Sequence, residues 1–147
     1  MIKKFIHQFA SPKTYLLKVM RAYPYILIFS LAVYLISVFW GIFLTPEDFV
    51  QGNSYRIIYL HVPASFISQS LYAAMAFASA IFLIWKVKLS AYLVKSIAPI
   101  GAITTFIALV SGSIWGIPTW GTWWAWDARI VSTLILFIMY LGLISLH

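Results

Sequence analysis

Four long stretches without a charged side chain limit what this chain can fold into more than any other feature. They cover residues 22–46, 57–85, 96–126 and 130–147. Each is about as long as the roughly 20 apolar residues that a helix needs to cross a lipid bilayer. Their apolar residues run continuously instead of alternating, which is typical of membrane helices. We therefore expect an all-α fold, a polytopic bundle of four transmembrane helices.

The composition indicates that lipid surrounds most of the chain. Charged residues make up 9% of the sequence, whereas a soluble domain is about 25% charged. Cysteine is absent, which excludes disulfides, thiolate metal sites and covalent haem attachment through a C-x-x-C-H motif.

Gly116 and Pro118 are expected to interrupt the third helix. We expect a single membrane domain over residues 1–147, with spans at about residues 23–44, 57–85, 96–114 and 130–146.

The basic residues predict the orientation of these helices. Eight of the ten lie in the N-terminal segment and the 86–95 loop, namely Lys3, Lys4, Lys13, Lys18, Arg21, Lys86, Lys88 and Lys95. The 45–56 and 115–129 loops hold only Arg56 and Arg129. Because basic loops stay on the cytoplasmic side, the N-terminus is expected inside and these two loops outside. The first apolar run has no convincing cleavage site and is expected to be a retained helix.

Five of the seven tryptophans lie in the outer segment 115–129, at Trp115, Trp120, Trp123, Trp124 and Trp126. A short helix from Thr119 onward would place Trp120, Trp123, Trp124 and Asp127 on one face. Such an aromatic surface suits a planar ligand or a partner protein. The alternative is an aromatic belt, which anchors membrane proteins at the interface.

His61 is expected at the outer end of the second helix, because Pro63 belongs near a first helical turn. A neutral imidazole is a good axial ligand for haem iron. Alternatively, it forms a hydrogen bond at the helix end, but the nearby tryptophans favour the ligand role. His7 is expected to be solvated, and His147 is expected on the inner side, too far away to pair with His61.

Two arginines, Arg56 and Arg129, are the basic residues on the expected outer side. A guanidinium group suits paired carboxylates, such as haem propionates. Plain anchoring at the interface remains open for both. Asp127 lies two residues before Arg129, so an ion pair that shapes the loop is also open. Ser65, Ser68, Gln69 and Tyr72 follow His61 as a polar stripe, which we expect to form contacts between helices.

Two runs of the sequence resemble a known family. The run from Trp115 through Trp120-Gly-Thr-Trp-Trp-Ala-Trp-Asp-Ala-Arg129 resembles the tryptophan-rich WWD segment of the haem-handling proteins of c-type cytochrome maturation. The run from Gln51-Gly-Asn-Ser-Tyr-Arg to Tyr-Leu-His61-Val-Pro63 resembles one branch of them, the cytochrome c maturation protein C (haem exporter protein C) family. Residues 98–102 and 106–110 also fit that branch, so the resemblance covers nearly the whole chain.

The resemblance implies six membrane helices and an outer haem site beneath the WWD segment, with two axial histidines. The first matches His61, which would bind the iron of a non-covalent haem b. The second would lie in a later outer loop, between helices five and six, which this sequence does not include, so the chain looks like the N-terminal four-helix part of a truncated or split protein. By position, the haem and chaperone platform would comprise Trp115, Trp120, Trp123, Trp124, Trp126 and Asp127. Arg56 and Arg129 would contact the propionates.

The function implied is haem transport in cytochrome c-type biogenesis. The chain would present or export haem at the periplasmic face of a bacterial inner membrane, which is expected ahead of a mitochondrial one. Its partners would be a periplasmic haem chaperone and the subunits of an ABC-type maturation complex, with no nucleic acid. We expect a binding and transfer protein without catalytic residues. The alternatives are a haem permease subunit, a haem–apocytochrome ligase and an inactive fragment.

Overall fold

The computed structural model of this chain describes residues 12–146, and these residues form four long helices. The helices are α1 (Pro12–Phe39), α2 (Ile58–Trp85), α3 (Lys88–Trp120) and α4 (Ala128–Ser145). A π-helical turn, Trp40–Leu44, extends α1, and a 3-10 helix, Asn53–Ile57, precedes α2. All four helices are long and apolar enough to cross a membrane. The predicted all-α fold with four membrane-spanning helices is therefore confirmed. His7 and His147 lie outside the described residues.

Helix α3 is longer at both ends than the predicted span 96–114. It begins at Lys88, directly after the left-handed Lys86 and the extended Val87, and the Lys88 side chain can extend its charge to the membrane surface. It continues to Trp120, so the prediction that Gly116 and Pro118 interrupt it is wrong. Pro118 lies in the last turn and cannot donate to the Ile114 carbonyl, but this loss is confined to one hydrogen bond at the helix end. The helix ends because Gly121 adopts a left-handed conformation, with φ +74°, and donates its N–H to the carbonyl of Ile117.

The core lies between α2, α3 and α4. Its centre is Tyr140 on α4, whose side chain is fully buried and whose hydroxyl donates to the Ser68 carbonyl at 2.7 Å. The Tyr140 ring occupies the space that a side chain at Gly101 would fill, so α3 and α4 approach closely there. Tyr72 packs edge-on against Tyr140, with 5.6 Å between the ring centroids. The remaining core residues are Met75, Ala78, Val94, Ala98 and Ala102.

Helix α1 packs differently from the other three. Its described side chains are exposed over most of its length, from Leu16 to Trp40. The close contact comes at its C-terminal end, where the Tyr59 ring lies in the space left by Gly41. Helix α1 therefore meets the rest of the bundle at the end that carries the 45–56 loop.

Substitution of Gly101 by alanine should destabilise the bundle, because the added Cβ would overlap the Tyr140 ring. Overpacking of this kind costs about 1–3 kcal/mol. Gly142→Ala is the matched control, since nothing lies within 4 Å of a Cβ at that helical position. Thermal denaturation in detergent should show a lower midpoint for Gly101→Ala and an unchanged or higher one for Gly142→Ala. Equal midpoints for the two variants would contradict this account of the core.

Candidate functional site

A cavity of about 630 Å³ opens at the end of the bundle where α2 and α4 begin and α3 ends. Its volume is in the range of about 300–1,000 Å³ typical of sites for small molecules and cofactors. The three helices and the segment that precedes α2 all line the cavity. The lining includes Gln51 and Ser54 from that segment, His61 and Ser65 from α2, Gly112, Trp115, Thr119 and Trp120 from α3, and Arg129 and Thr133 from α4. It therefore combines an imidazole, indole rings and a guanidinium group on one surface.

The His61 imidazole contacts the neighbouring helix on one edge. Its Nδ1 lies 3.0 Å from the carbonyl oxygen of Ala108 and 3.1 Å from Oγ of Ser111. Its Nε2 has a longer contact, 3.5 Å from Oγ of Ser65. Gly112 lies directly against the ring, because a Cβ at that position would be 2.9 Å from Cε1 of the imidazole. The ring is therefore held against α3 and borders the cavity.

Trp115 joins the histidine to the preceding loop. Its ring packs edge-on against His61, with 5.7 Å between centroids and 69° between the planes. Its indole N–H donates to Oε1 of Gln51 at 2.9 Å. Gln51 is held in a tight turn by Asp48, whose Oδ1 accepts the backbone N–H groups of Val50 and Gln51. The sequence does not predict Gln51 as a site residue, because a single amide side chain in a polar loop matches no motif for ligand binding.

Trp120 and Arg129 lie together on the cavity wall. The guanidinium carbon of Arg129 is 4.7 Å from the centroid of the Trp120 ring, a typical cation–π arrangement. The Arg129 side chain is 73% exposed and forms an ion pair with Asp127 at 2.8 Å. An exposed cation on the cavity wall can contact an anionic group there without a large desolvation cost.

The Asp127 carboxylate is hydrogen-bonded to the start of α4, and this residue does not line the His61 cavity. Its Oδ1 accepts the backbone N–H groups of Arg129 and Ile130, both at 3.0 Å, as an N-cap. Its Oδ2 accepts from the Arg129 side chain. The hydrogen bond from the Ile130 N–H and then that from Arg129 lower the pKa of the Asp127 carboxyl. The Asp127–Arg129 ion pair that the sequence left open is therefore present, and it shapes the loop before α4.

The prediction of a short helix from Thr119 onward is wrong. Helix α3 ends at Trp120, and residues 121–127 form an irregular loop until Asp127 caps α4. The hydroxyl of Thr122 bonds both the N–H and the carbonyl of Trp124, which bends the chain locally. Trp120, Trp123, Trp124 and Asp127 therefore do not share a helical face. Trp120 is the last residue of α3, whereas the other three lie beyond the left-handed Gly121 that ends the helix.

Three of the tryptophans instead form a separate group, the tryptophan cluster, made of Trp123, Trp124 and Trp126. Trp124 lies at its centre, with ring centroids 5.9 Å from Trp123 and 5.6 Å from Trp126. Trp126 is 81% exposed and Trp123 is 65% exposed. The cluster thus displays aromatic surface outside the His61 cavity.

Arg56 lies away from the His61 cavity. Its Nη2 donates to the carbonyl of Thr45 at 2.8 Å, which ties the 3-10 helix to the end of the π-helical turn. It lines a second cavity of about 520 Å³, between Phe43, Leu60 and Ile114. The structure therefore brings together His61, Trp115, Trp120 and Arg129, and separates them from Arg56.

The cavity offers three kinds of contact to a ligand: an imidazole nitrogen, indole rings and a guanidinium group. Among the described residues, no three His, Asp or Glu side chains are close enough to hold a metal ion. The imidazole can instead serve as one axial ligand of a metal that a flat macrocycle already holds. The indoles offer apolar surface to such a ring, and Arg129 offers a charge to its acidic substituents.

Asp127 should contribute to the loss of stability as the pH falls into the acid range. Because the cap lowers its pKa, its contribution is fully present above the ordinary carboxyl pKa of about 3.9 and is lost as the pH falls through the lower folded value. Asp127→Ser keeps a capping oxygen but does not titrate. The difference in thermal midpoint between wild type and Asp127→Ser should be largest above about pH 5 and should shrink in acid. A difference that does not change with pH would contradict the cap.

Comparison with known proteins identifies clear relatives. The model of the family described as Heme exporter protein C matches residues 5–147. Heme exporter protein C of Escherichia coli strain K12 is 49% identical over 143 residues, which are 97% of this chain and 58% of that protein. The Haemophilus influenzae protein of the same name is 41% identical over 144 residues, with 98% and 58% covered. The Paracoccus denitrificans protein is 43% identical over 141 residues, with 96% and 58% covered. The chain thus spans about three fifths of the length of these relatives.

Proposed function

Because the chain belongs to the haem exporter protein C family, we propose that its His61 cavity binds haem b without a covalent bond. The haem is cargo, which the protein presents for transfer during the maturation of c-type cytochromes. One observation carries the proposal: an imidazole, two indole rings and a guanidinium group line the same cavity.

Each of these groups matches a part of the haem molecule. The His61 imidazole binds the iron as one axial ligand. Trp115 and Trp120 pack against the apolar macrocycle. Arg129 pairs with a propionate, and Asp127 supports it by fixing the start of α4 and orienting the guanidinium.

Arg56 takes part indirectly in this proposal. It was expected to contact a propionate, but its guanidinium binds Thr45 and faces the second cavity. Through Thr45 it holds the loop that carries Gln51, and Gln51 in turn holds Trp115. Arg56 therefore supports the indole that packs against His61.

The tryptophan cluster is proposed as the surface that meets a soluble haem chaperone. Aromatic side chains contribute much of the free energy of protein–protein contacts. The cluster lies across Gly121 from the cavity, so a partner bound there would be close to the haem edge. An aromatic belt that only anchors the protein in lipid is the competing explanation.

The proposed location is a bacterial inner membrane, with the His61 cavity at the periplasmic face. The distribution of lysine and arginine supports this orientation. Family membership supports association with an ABC-type maturation complex. A permease would place charged groups or broken helices near the middle of the membrane. The cavity lies at one end of the bundle instead, which favours surface presentation of haem.

Replacement of His61 by alanine should reduce the haem that co-purifies with the full chain by at least about tenfold, since the axial ligand is lost. The intensity of the Soret band relative to protein measures this. His147→Ala is the control and should retain wild-type haem, because the sequence predicts it at the opposite face. Added imidazole should restore part of the band in a His61→Gly variant. An unchanged spectrum in His61→Ala would rule out the ligand role.

Removal of the tryptophan cluster should weaken chaperone binding while haem binding persists. For the double variant Trp123→Ala/Trp126→Ala we expect a Kd for the purified chaperone that is about 10- to 30-fold higher, as for aromatic interface residues. Trp85→Ala is the control, because Trp85 is a similarly exposed indole at the other end of α2. If both variants bind the chaperone equally well, the cluster serves anchoring and not docking.

A further inference from the structure

We propose that Ser111 is a positioning residue: together with the Ala108 carbonyl it holds the Nδ1–H of His61, and so leaves Nε2 as the nitrogen able to bind a metal. The inference rests on the proposed function for what that nitrogen binds. The tautomer itself is a property of the chain without any ligand, so it can be examined separately.

The hydrogen bonds around Nδ1 determine where the imidazole proton lies. Nδ1 is 3.0 Å from the carbonyl oxygen of Ala108. A carbonyl oxygen can only accept, so Nδ1 carries the hydrogen and donates it. The neutral ring then has its free lone pair on Nε2.

Ser111 acts as the second acceptor for the same N–H. Its own hydroxyl hydrogen is directed to the Ile107 carbonyl at 2.6 Å, a bond along α3. The Ser111 oxygen therefore keeps its lone pairs for His61 Nδ1, at 3.1 Å. Ser111 is only 4% exposed, so its oxygen is held close to the imidazole by the packing of α2 against α3.

Packing prevents the ring from turning over. A Cβ at Gly112 would lie 2.9 Å from Cε1, which shows that the imidazole lies directly on the α3 backbone. Trp115 packs against the ring from another side. Nε2 has one long contact, 3.5 Å from the Ser65 hydroxyl, which a ligand can displace.

A hydrogen bond to the far nitrogen also changes the strength of the ligand. An acceptor at Nδ1–H makes the imidazole more basic and more electron-rich, as in metal sites where a histidine donates to a carbonyl or a carboxylate. More electron density at the iron favours the ferric state. Loss of the Ser111 oxygen should therefore raise the midpoint potential of bound haem, and a carboxylate in its place should lower it.

The first experiment uses the haem-free full chain with ¹⁵N-labelled histidine in detergent at about pH 8, where imidazole is neutral. The wild-type His61 signal, identified by its loss in His61→Asn, should be that of the Nδ1–H tautomer. Ser111→Ala leaves the Ala108 carbonyl as the remaining acceptor, so the Nδ1 signal should shift and a minor Nε2–H population should appear. Thr104→Ala, which removes a hydroxyl bonded only along α3, should leave the signal unchanged. A wild-type Nε2–H tautomer, or no change in Ser111→Ala, would overturn the inference.

The second experiment measures the haem-loaded chain by spectroelectrochemical titration. Ser111→Ala should raise the midpoint potential and weaken haem binding about tenfold, a typical effect of removing such a partner. Ser111→Asp should lower the potential, and Ser111→Thr should behave as wild type. Shifts of the same sign in Ser111→Ala and Ser111→Asp, or none, would contradict the positioning role. If His61→Ala keeps its haem while the tautomer is as expected, the proposed function fails and the inference about Ser111 stands.

Discussion

The short turn between α2 and α3 determines the geometry of the whole site. Only Lys86 and Val87 separate the two helices, and Lys86 adopts a left-handed conformation with φ +53° that reverses the chain. His61 lies 25 residues before Lys86, and Gly112 lies 25 residues after Val87. Because both helices rise about 1.5 Å per residue, these two positions come to the same height. The imidazole therefore meets a glycine, and the space for the ring follows from the register of the hairpin.

The same register places the other contacts between these helices. Ser68 and Thr105 are both buried and lie at matching distances from the turn, as do Met75 and Ala98. The small side chains among them, Ser68, Thr105 and Ala98, allow the backbones to approach closely, as is usual for helices in membranes. Tyr140 of α4 then closes the bundle below the cavity. The hydrogen bond from its hydroxyl to Ser68 satisfies the phenol within the apolar core.

The sequence predicts the parts of this structure that depend on hydropathy and misses those that depend on capping and contacts. The uncharged runs predict four helices, and Pro63 predicts that His61 lies near the start of α2. The run of tryptophans suggests one aromatic face, but Gly121 and Asp127 divide it. Both residues are common at helix ends, so their positions could have indicated a loop between them. Ser111 could not have been found in this way, because a serine within an apolar helix usually bonds only to its own backbone.

The division at Gly121 separates two tasks that a single aromatic face would have to combine. A protein that hands on its ligand must hold the ligand and also let a partner reach it. In the proposed function, His61, Trp115 and Trp120 hold the haem, while the tryptophan cluster remains free for the partner. Arg129 lines the cavity, and its ion pair with Asp127 would offer the guanidinium an alternative anion when a propionate leaves. Because that ion pair is largely exposed, the exchange of one carboxylate for another involves little change in solvation. On this proposal, release of the haem would be limited mainly by the bond between iron and His61, the bond whose strength Ser111 is proposed to adjust.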